Sequence, residues 1–222
     1  MDRRPPHPIC ADVIALPHGR EEAIVCLSHL RWDFVFQRPQ HLMGRFAQTR
    51  TVLYFEEPLP SEPGAPSSVD VSVCGKSGVI VATPRLALDL DDHVKTAALA
   101  QMLVDTLAAQ HIQRPVLWFY TPMMLPLTRG LDAAAVVYDC MDELANFKFA
   151  PPELRALEKD LFRAADVVFT GGYSLFEAKQ DQHSDIHPFP SSVDRPHFAA
   201  GRPPGAGRGP PARETWLLWR HR

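Results

Sequence analysis

The chain has 222 residues, 45% hydrophobic and 22% charged, with a formal net charge of −3. That is enough apolar material for one well-buried domain, and the absence of a Lys/Arg run sets nucleic acid aside as a partner. No apolar stretch reaches the roughly 20 residues that span a bilayer, residues 1–19 lack the apolar core of a secretory signal, and Cys10, Cys26, Cys74 and Cys140 show no CxxC spacing; the composition predicts a soluble protein of the reducing cytoplasm.

Residues 1–22 carry Pro5, Pro6, Pro8 and Pro17 and predict a loose lead-in. The apolar run 23–28 predicts a strand covered on both faces. It is followed by SHLRWDFVFQRPQHL, far richer in aromatic and hydrogen-bonding side chains than a simple connection requires. Pro39 suits the first turn of a helix continuing through Leu42, Met43 and Phe46. TVLYF, 51–55, is a second buried strand running into the acidic, proline-rich EEPLPSEPGAP, where Glu56 and Glu57 read as a solvated strand end. Segments 69–73 and 79–82 flank CGKSG and predict a hairpin.

From 91 to about 111 the apolar residues recur at helical spacing. VLWFY, 116–120, is the next strand, with Thr121 and Pro122 opening a loop, and 135–138 leads into DCMDE. Pro151 and Pro152 introduce a helix with Leu154, Leu157, Leu161 and Phe162 on its apolar side. DVVFT, 166–170, is a strand, Gly171 and Gly172 a turn, 173–180 a short helix and 186–189 a last strand. The alternation predicts an α/β fold, a Rossmann-like, mainly parallel sheet flanked by helices over 23–198, with a disordered tail over 199–222. Ligands of such sheets sit beyond the carboxyl ends of the strands, where this chain concentrates its polar residues.

There is no GxGxxG, GxxxxGK[ST] or GxSxG, which sets aside dinucleotide, P-loop and α/β-hydrolase readings of standard type. CGKSG reads as a hairpin turn. His183 and His187 are four apart, but Pro188 and the strand there argue against a helical metal pair. No metal or resident cofactor is expected.

SHLRWDFVFQRPQHLMGRFA, VLYFEEP, VLWFYTP, VVYDCMDELANF, LEKDLFRAADVVFTGGYSLFEAK and PSSVDRPHF occur in the order in which similar segments occur in the N-terminal half of GT-B glycosyltransferases. The chain resembles the acceptor-side domain of that nucleotide-sugar-dependent family. Its PSSVD stands where the family usually has Pro-Asn-Gly-Val-Asp, at the hand-over to the donor domain. The resemblance implies an acceptor wall built from His29, Trp32, Gln37, Arg38 and His41, with Trp32 stacking on sugar faces and the others hydrogen-bonding hydroxyls or phosphate. Phe34 is expected in the core. The resemblance also implies a base, with Asp142 or Asp139 as candidates, and supporting contacts from Thr121, Glu143, Gly171, Gly172 and Ser174. Read blandly, Asp142 and Glu143 only charge a helix start, and the glycines only permit a turn.

The implied partners are a sugar or lipid-linked acceptor, a nucleotide-sugar donor for the complete enzyme, and a second domain covering one face. Peripheral association with the inner face of the membrane is compatible with that reading. After Phe198 the composition turns to Gly, Pro, Arg and Ala, which cannot build a packed element. Read one base later, a back-translation of 214–222 gives a glycine-punctuated aromatic run resembling the first strand of a donor domain. The expectation is a truncated glycosyltransferase, inactive alone and frameshifted near residue 200. The alternatives are a non-catalytic Rossmann-like module that binds a glycan or protein, and a flavodoxin-like signalling domain, to which the long aromatic first loop is ill suited.

Overall fold

A computed structural model describes residues 22–61, 65–87, 90–148 and 150–190. Residues 1–21 of the expected lead-in, residues 191–194 of the PSSVD signature and the tail lie outside the described residues. Among the described residues nine strands form one sheet: β1 (Ile24–Ser28), β2 (Val52–Glu56), β3 (Leu59–Pro60), β4 (Ser68–Val73), β5 (Ile80–Leu86), β6 (Val116–Phe119), β7 (Ala135–Cys140), β8 (Val167–Thr170) and β9 (Ile186–Pro188). Their order is β3-β5-β2-β1-β6-β7-β8-β9, with β4 paired to β5. All pairings are parallel except β4 with β5, the expected hairpin.

β1 sits mid-sheet and is buried along its whole length, which is why it is apolar without alternation. Its odd and even residues feed two separate cores. Val25 and Leu27 join Leu103 and Leu107 of α2 (Asp92–Ala109), and Leu161 and Phe162 of α3 (Leu154–Ala164). Ile24 and Cys26 join Met43 and Ala47 at α1 (Arg38–Phe46) on the opposite face. Burying each large apolar side chain contributes about 1.5–3 kcal/mol. A fourth helix, α4 (Tyr173–Lys179), links β8 to β9.

The chain builds outward from β1 to β2, β5 and β3, then returns across the sheet to β6, β7, β8 and β9. The reversal lies between β1 and β6, and beyond the carboxyl ends of two such strands is where open parallel sheets bind their ligands. Four short elements were not foreseen: β3, within the proline-rich run, and 3₁₀ helices over Pro122–Thr128, Leu144–Asn146 and Gln180–Gln182.

Candidate functional site

The loop from β1 to α1 is fixed by one buried carboxylate. Glu56, at the end of β2, accepts from the Trp32 backbone N–H at 2.6 Å, from Arg31 Nη1 at 3.0 Å and from the Thr83 hydroxyl at 2.8 Å. It is 4% exposed, so the expected solvated strand end holds only for Glu57, which is exposed. Gln40 adds a second brace, its side-chain amide donating to the carbonyls of Arg31 and Trp32 at 3.1 Å each. These bonds turn Trp32 inward. It is 6% exposed and meets the Tyr54 ring edge-on at 5.0 Å, so it closes the core and offers no face for a sugar. Phe34, expected in the core, is 72% exposed instead. Glu56 and Gln40 were missed because nothing in an isolated sequence marks a strand-end carboxylate as the acceptor for a distant loop.

Arg38 sits beneath this loop at the start of α1. Its Nε lies 3.0 Å from both carboxylate oxygens of Asp139, and Nη2 lies 2.8 Å from Oδ1 as a charge contact. Its Nη1 donates to the Phe189 carbonyl, and the guanidinium lies over the Phe189 ring at 5.0 Å. Both ionic partners are buried, Asp139 completely. Burial raises the Asp139 carboxyl above its ordinary 3.8, with Arg38 pulling the other way. The Tyr120 hydroxyl and Trp118 Nε1 are buried without an aligned hydrogen-bond partner, yet both face Asp139 closely enough to stabilise its charge. Asp139 and Arg38 therefore form a buried hub between β7, α1 and β9. Asp139 presents no surface to an acceptor, which leaves Asp142 as the accessible candidate base.

Asp142 is exposed in the bend after β7. His29 is half-buried at the end of β1, its Nδ1 buried without a hydrogen-bond partner. Burial lowers the imidazole below its ordinary 6.5, against the opposing pull of the Asp142 charge and the Tyr120 backbone. The ends of β1 and β6 are tied together here, Tyr120 N–H donating to the Leu27 carbonyl at 2.9 Å. A neutral imidazole and a nearby open carboxylate are a pair that can take and hold a proton from a bound hydroxyl.

Glu143 is engaged elsewhere. Its carboxylate lies 2.9 Å from Lys179 Nζ, which also reaches Glu158 at 2.9 Å, and Tyr138 donates to the same Glu158 oxygen at 2.9 Å. This buried cluster anchors the bend that carries Asp142. Gly171 does the same from the other side: its N–H donates to the Cys140 carbonyl at 2.8 Å, and a Cβ there would stand 2.6 Å from the Met141 carbonyl oxygen. Only glycine lets the two loops lie so close.

The remaining expected residues divide. Gln37 starts α1, its backbone N–H bonded to Gln40 Oε1 at 3.2 Å. His41 meets Phe36 ring to ring at 4.5 Å. Thr121 is 2% exposed and caps the 3₁₀ helix, accepting from Met123 N–H at 3.3 Å, so it serves the fold. Gly172 and Ser174 open a seven-residue helix with no side-chain cap bond. Among the described residues, no group of three or more His, Cys, Asp or Glu could hold a metal ion.

No family model and no curated protein matches the chain. Solved structures do match. A trehalose-6-phosphate synthase structure from E. coli, bound with UDP-2-fluoro glucose, superposes with a TM-score of 0.55 at 14% identity, over 86% of this chain and 52% of the other. The fold is that of part of a GT-B glycosyltransferase. A trehalose-phosphate synthase from Burkholderia xenovorans, in complex with glucose-6-phosphate, overlaps more loosely, at a TM-score of 0.43 and 16% identity over 67% of this chain and 40% of that one. The chain spans about half the length of these structures.

Proposed function

We propose that the chain is the acceptor-side half of a glycosyltransferase. In this reading a sugar or lipid-linked acceptor lies in the crevice between β1 and β6, with Asp142 as the base and His29 as its hydrogen-bonding neighbour. Arg38 and Asp139 hold the crevice in shape without touching the acceptor. What supports the reading is the charge of Asp142, at the end of β7, acting on His29 at the end of β1, on either side of β6 beside the point where strand order reverses, in a GT-B fold.

Stabilisation of a departing nucleotide diphosphate would fall to a second lobe, so the half described here binds acceptor and does not transfer sugar alone. For the site itself, the chain is titrated with neutral sugars and sugar phosphates, then with UDP-glucose and GDP-mannose, while the His29 ring is followed by NMR. The expected result is a sugar-dependent shift at His29 and no thermal stabilisation by either nucleotide sugar. Nucleotide-sugar binding, or an unresponsive His29, would count against the assignment. A non-catalytic binding module is the second reading, favoured by the exposed aromatic tip of the first loop. It predicts sugar or protein binding that Asp142→Asn leaves intact.

A further inference from the structure

The two edges of the sheet are finished differently. β9, at one end, is three residues long and stops at Pro188, and a short strand ending in proline offers little for another strand to pair with. At the other end β5 has β2 and then β3 along one side, at residues 80–82 and 85–86, and β4 along the other. β4 is therefore the outer strand, six residues paired to β5 without a break. Its sequence, SVDVSV, holds no proline or lysine, and the charge of Asp70 is already matched by Arg85 within the same hairpin. An edge of this kind is a template for a further strand.

Hydrogen-bond alternation decides which groups the edge offers. Cys74 N–H donates to the Val79 carbonyl at 2.8 Å, so these two residues are a hydrogen-bonded pair, and in an antiparallel ladder such pairs recur at every second residue. Asp70 and Ser72 therefore turn their backbone groups toward β5, whereas Val69, Val71 and Val73 turn theirs outward. The same alternation puts the Pro84 nitrogen on the side of β5 away from β4, where its missing N–H leaves the hairpin's ladder whole. Among the described residues no strand meets the outward groups of β4. The Val69 and Val71 side chains pack on the core that α2 covers. Val73 shares their face but is 38% exposed, and Val94 and Val104, also exposed, lie on α2, the helix that packs against β4.

A second copy of the same strand answers this edge, and charge selects its register. Antiparallel pairing joins outward-facing residues to outward-facing residues, so for a long overlap the two-fold axis passes through Asp70, Val71 or Ser72. An axis through Asp70 sets that carboxylate directly opposite its own copy, with the Cα atoms about 4.5 Å apart, and like charges so placed are destabilising. An axis through Ser72 pushes Val69 past the end of the partner strand, opposite Gly75. An axis through Val71 sets Asp70 opposite Ser72, whose hydroxyl can donate to it, and Val69 opposite Val73, which covers the exposed valine. β4 thus supplies to itself both the apolar side chains and the hydroxyl that its outer side calls for.

We propose that two copies of the chain join through β4 into one continuous sheet, Val71 opposite Val71, with Val69 of each copy opposite Val73 of the other. Both copies of α2 then lie on the same face of the joined sheet. β5 and β2 stand between β4 and β1, and the two-fold axis reverses strand direction. The carboxyl ends of β1 and β6 in the two copies therefore point opposite ways, and neither copy obstructs the other's. The dimer needs neither sugar nor donor and stands apart from the acceptor reading.

Sedimentation equilibrium of the full chain should show a dimer. Val71→Pro removes an N–H that faces outward and spares the bonds between β4 and β5; it should raise the dimer Kd about tenfold or more with the circular dichroism unchanged. Val73→Lys, at a side chain already exposed in the single chain, guards the edge with a charge and should weaken the dimer likewise, which keeps the test decisive if the proline variant misfolds. The register is read by cross-linking. Residues in a hydrogen-bonded pair stand about 5.5 Å apart at Cα, within disulfide reach, so under an added oxidant Val71→Cys should form covalent dimers well above the wild-type background, and Ser72→Cys, which faces Asp70, should not. A chain that stays monomeric, a dimer indifferent to both edge variants, or cross-linking by Ser72→Cys in place of Val71→Cys would overturn the proposal. So would a dimer that Phe34→Ser with Phe36→Ser dissociates and the edge variants do not, since that assigns the contact to the first loop.

Discussion

Replacing Arg38 by Met tests whether the hub beneath the first loop is a buried ion pair in energy as well as geometry. The Arg38 side chain is 6% exposed and that of Asp139 0%, with Nε at 3.0 Å from both oxygens. Methionine keeps the aliphatic stem but leaves the Asp139 carboxylate buried without its counter-ion, a loss of about 3–5 kcal/mol. Against a total stability of roughly 5–15 kcal/mol, that is a large share, and the thermal midpoint should fall by roughly 6–20 °C. Asp139→Asn added to Arg38→Met removes the stranded charge and should recover most of the loss. The sign with pH follows from the direction at Asp139. Burial raises its folded pKa above the unfolded 3.8, so the folded state holds the proton more tightly and this group favours folding most in acid. Without Arg38 that rise is larger. The penalty of the single variant should therefore vanish below the unfolded value and grow as pH climbs through the folded one. Urea unfolding of the single and double variants across that range is the assay. A single-variant loss under about 1 kcal/mol, as for a surface pair, or a double variant no better than the single, refutes the reasoning.

Lys179→Met should destabilise by a similar amount, about 3–5 kcal/mol, because it strands Glu158 and Glu143 together; unfolding in urea checks it. Burial lowers the Lys179 pKa, but Glu158 and Glu143 outweigh it and the net shift is upward from 10.5, so the wild-type contribution should persist below 10.5 and be lost as pH rises through the folded value. Gly171→Ala should cost about 1–3 kcal/mol, since its new methyl meets backbone atoms of Met141 that cannot swing aside. Gly172→Ala, with nothing within 4 Å, is the matched control and should be nearly silent. His29, lowered from 6.5, should titrate below that value by NMR, and its share of stability should be lost as pH falls beneath 6.5. His29→Gln should remove that acid-sensitive part.

The layered fold could be read from the chain because each strand leaves a local mark: β1, β2 and β6 are unbroken apolar runs, and the Pro39 and Pro151–Pro152 signals stand where α1 and α3 begin. The site was less legible. Within WDFVF no period says which aromatic points inward, and the choice of Trp32 over Phe34 is made by Glu56, a residue 24 positions away. Arg38 and Asp139 are separated by 101 residues, and only the pairing of strands through β1, β6 and β7 brings them together. The same holds for Lys179, whose sequence neighbourhood gives no hint of Glu143 and Glu158. Residue type picks out polar groups at the strand ends; their division into those that face solvent and those that brace the loops is a tertiary property.

A single guanidinium grips three separate stretches of chain: the helix that begins at Arg38, the strand end at Asp139, and the backbone at Phe189. Polypeptide leaving the sheet past Pro190 thus departs from a point already fastened to the base of the first loop. A pull on Phe189 would therefore load Arg38 directly, and through it both the start of α1 and the end of β7.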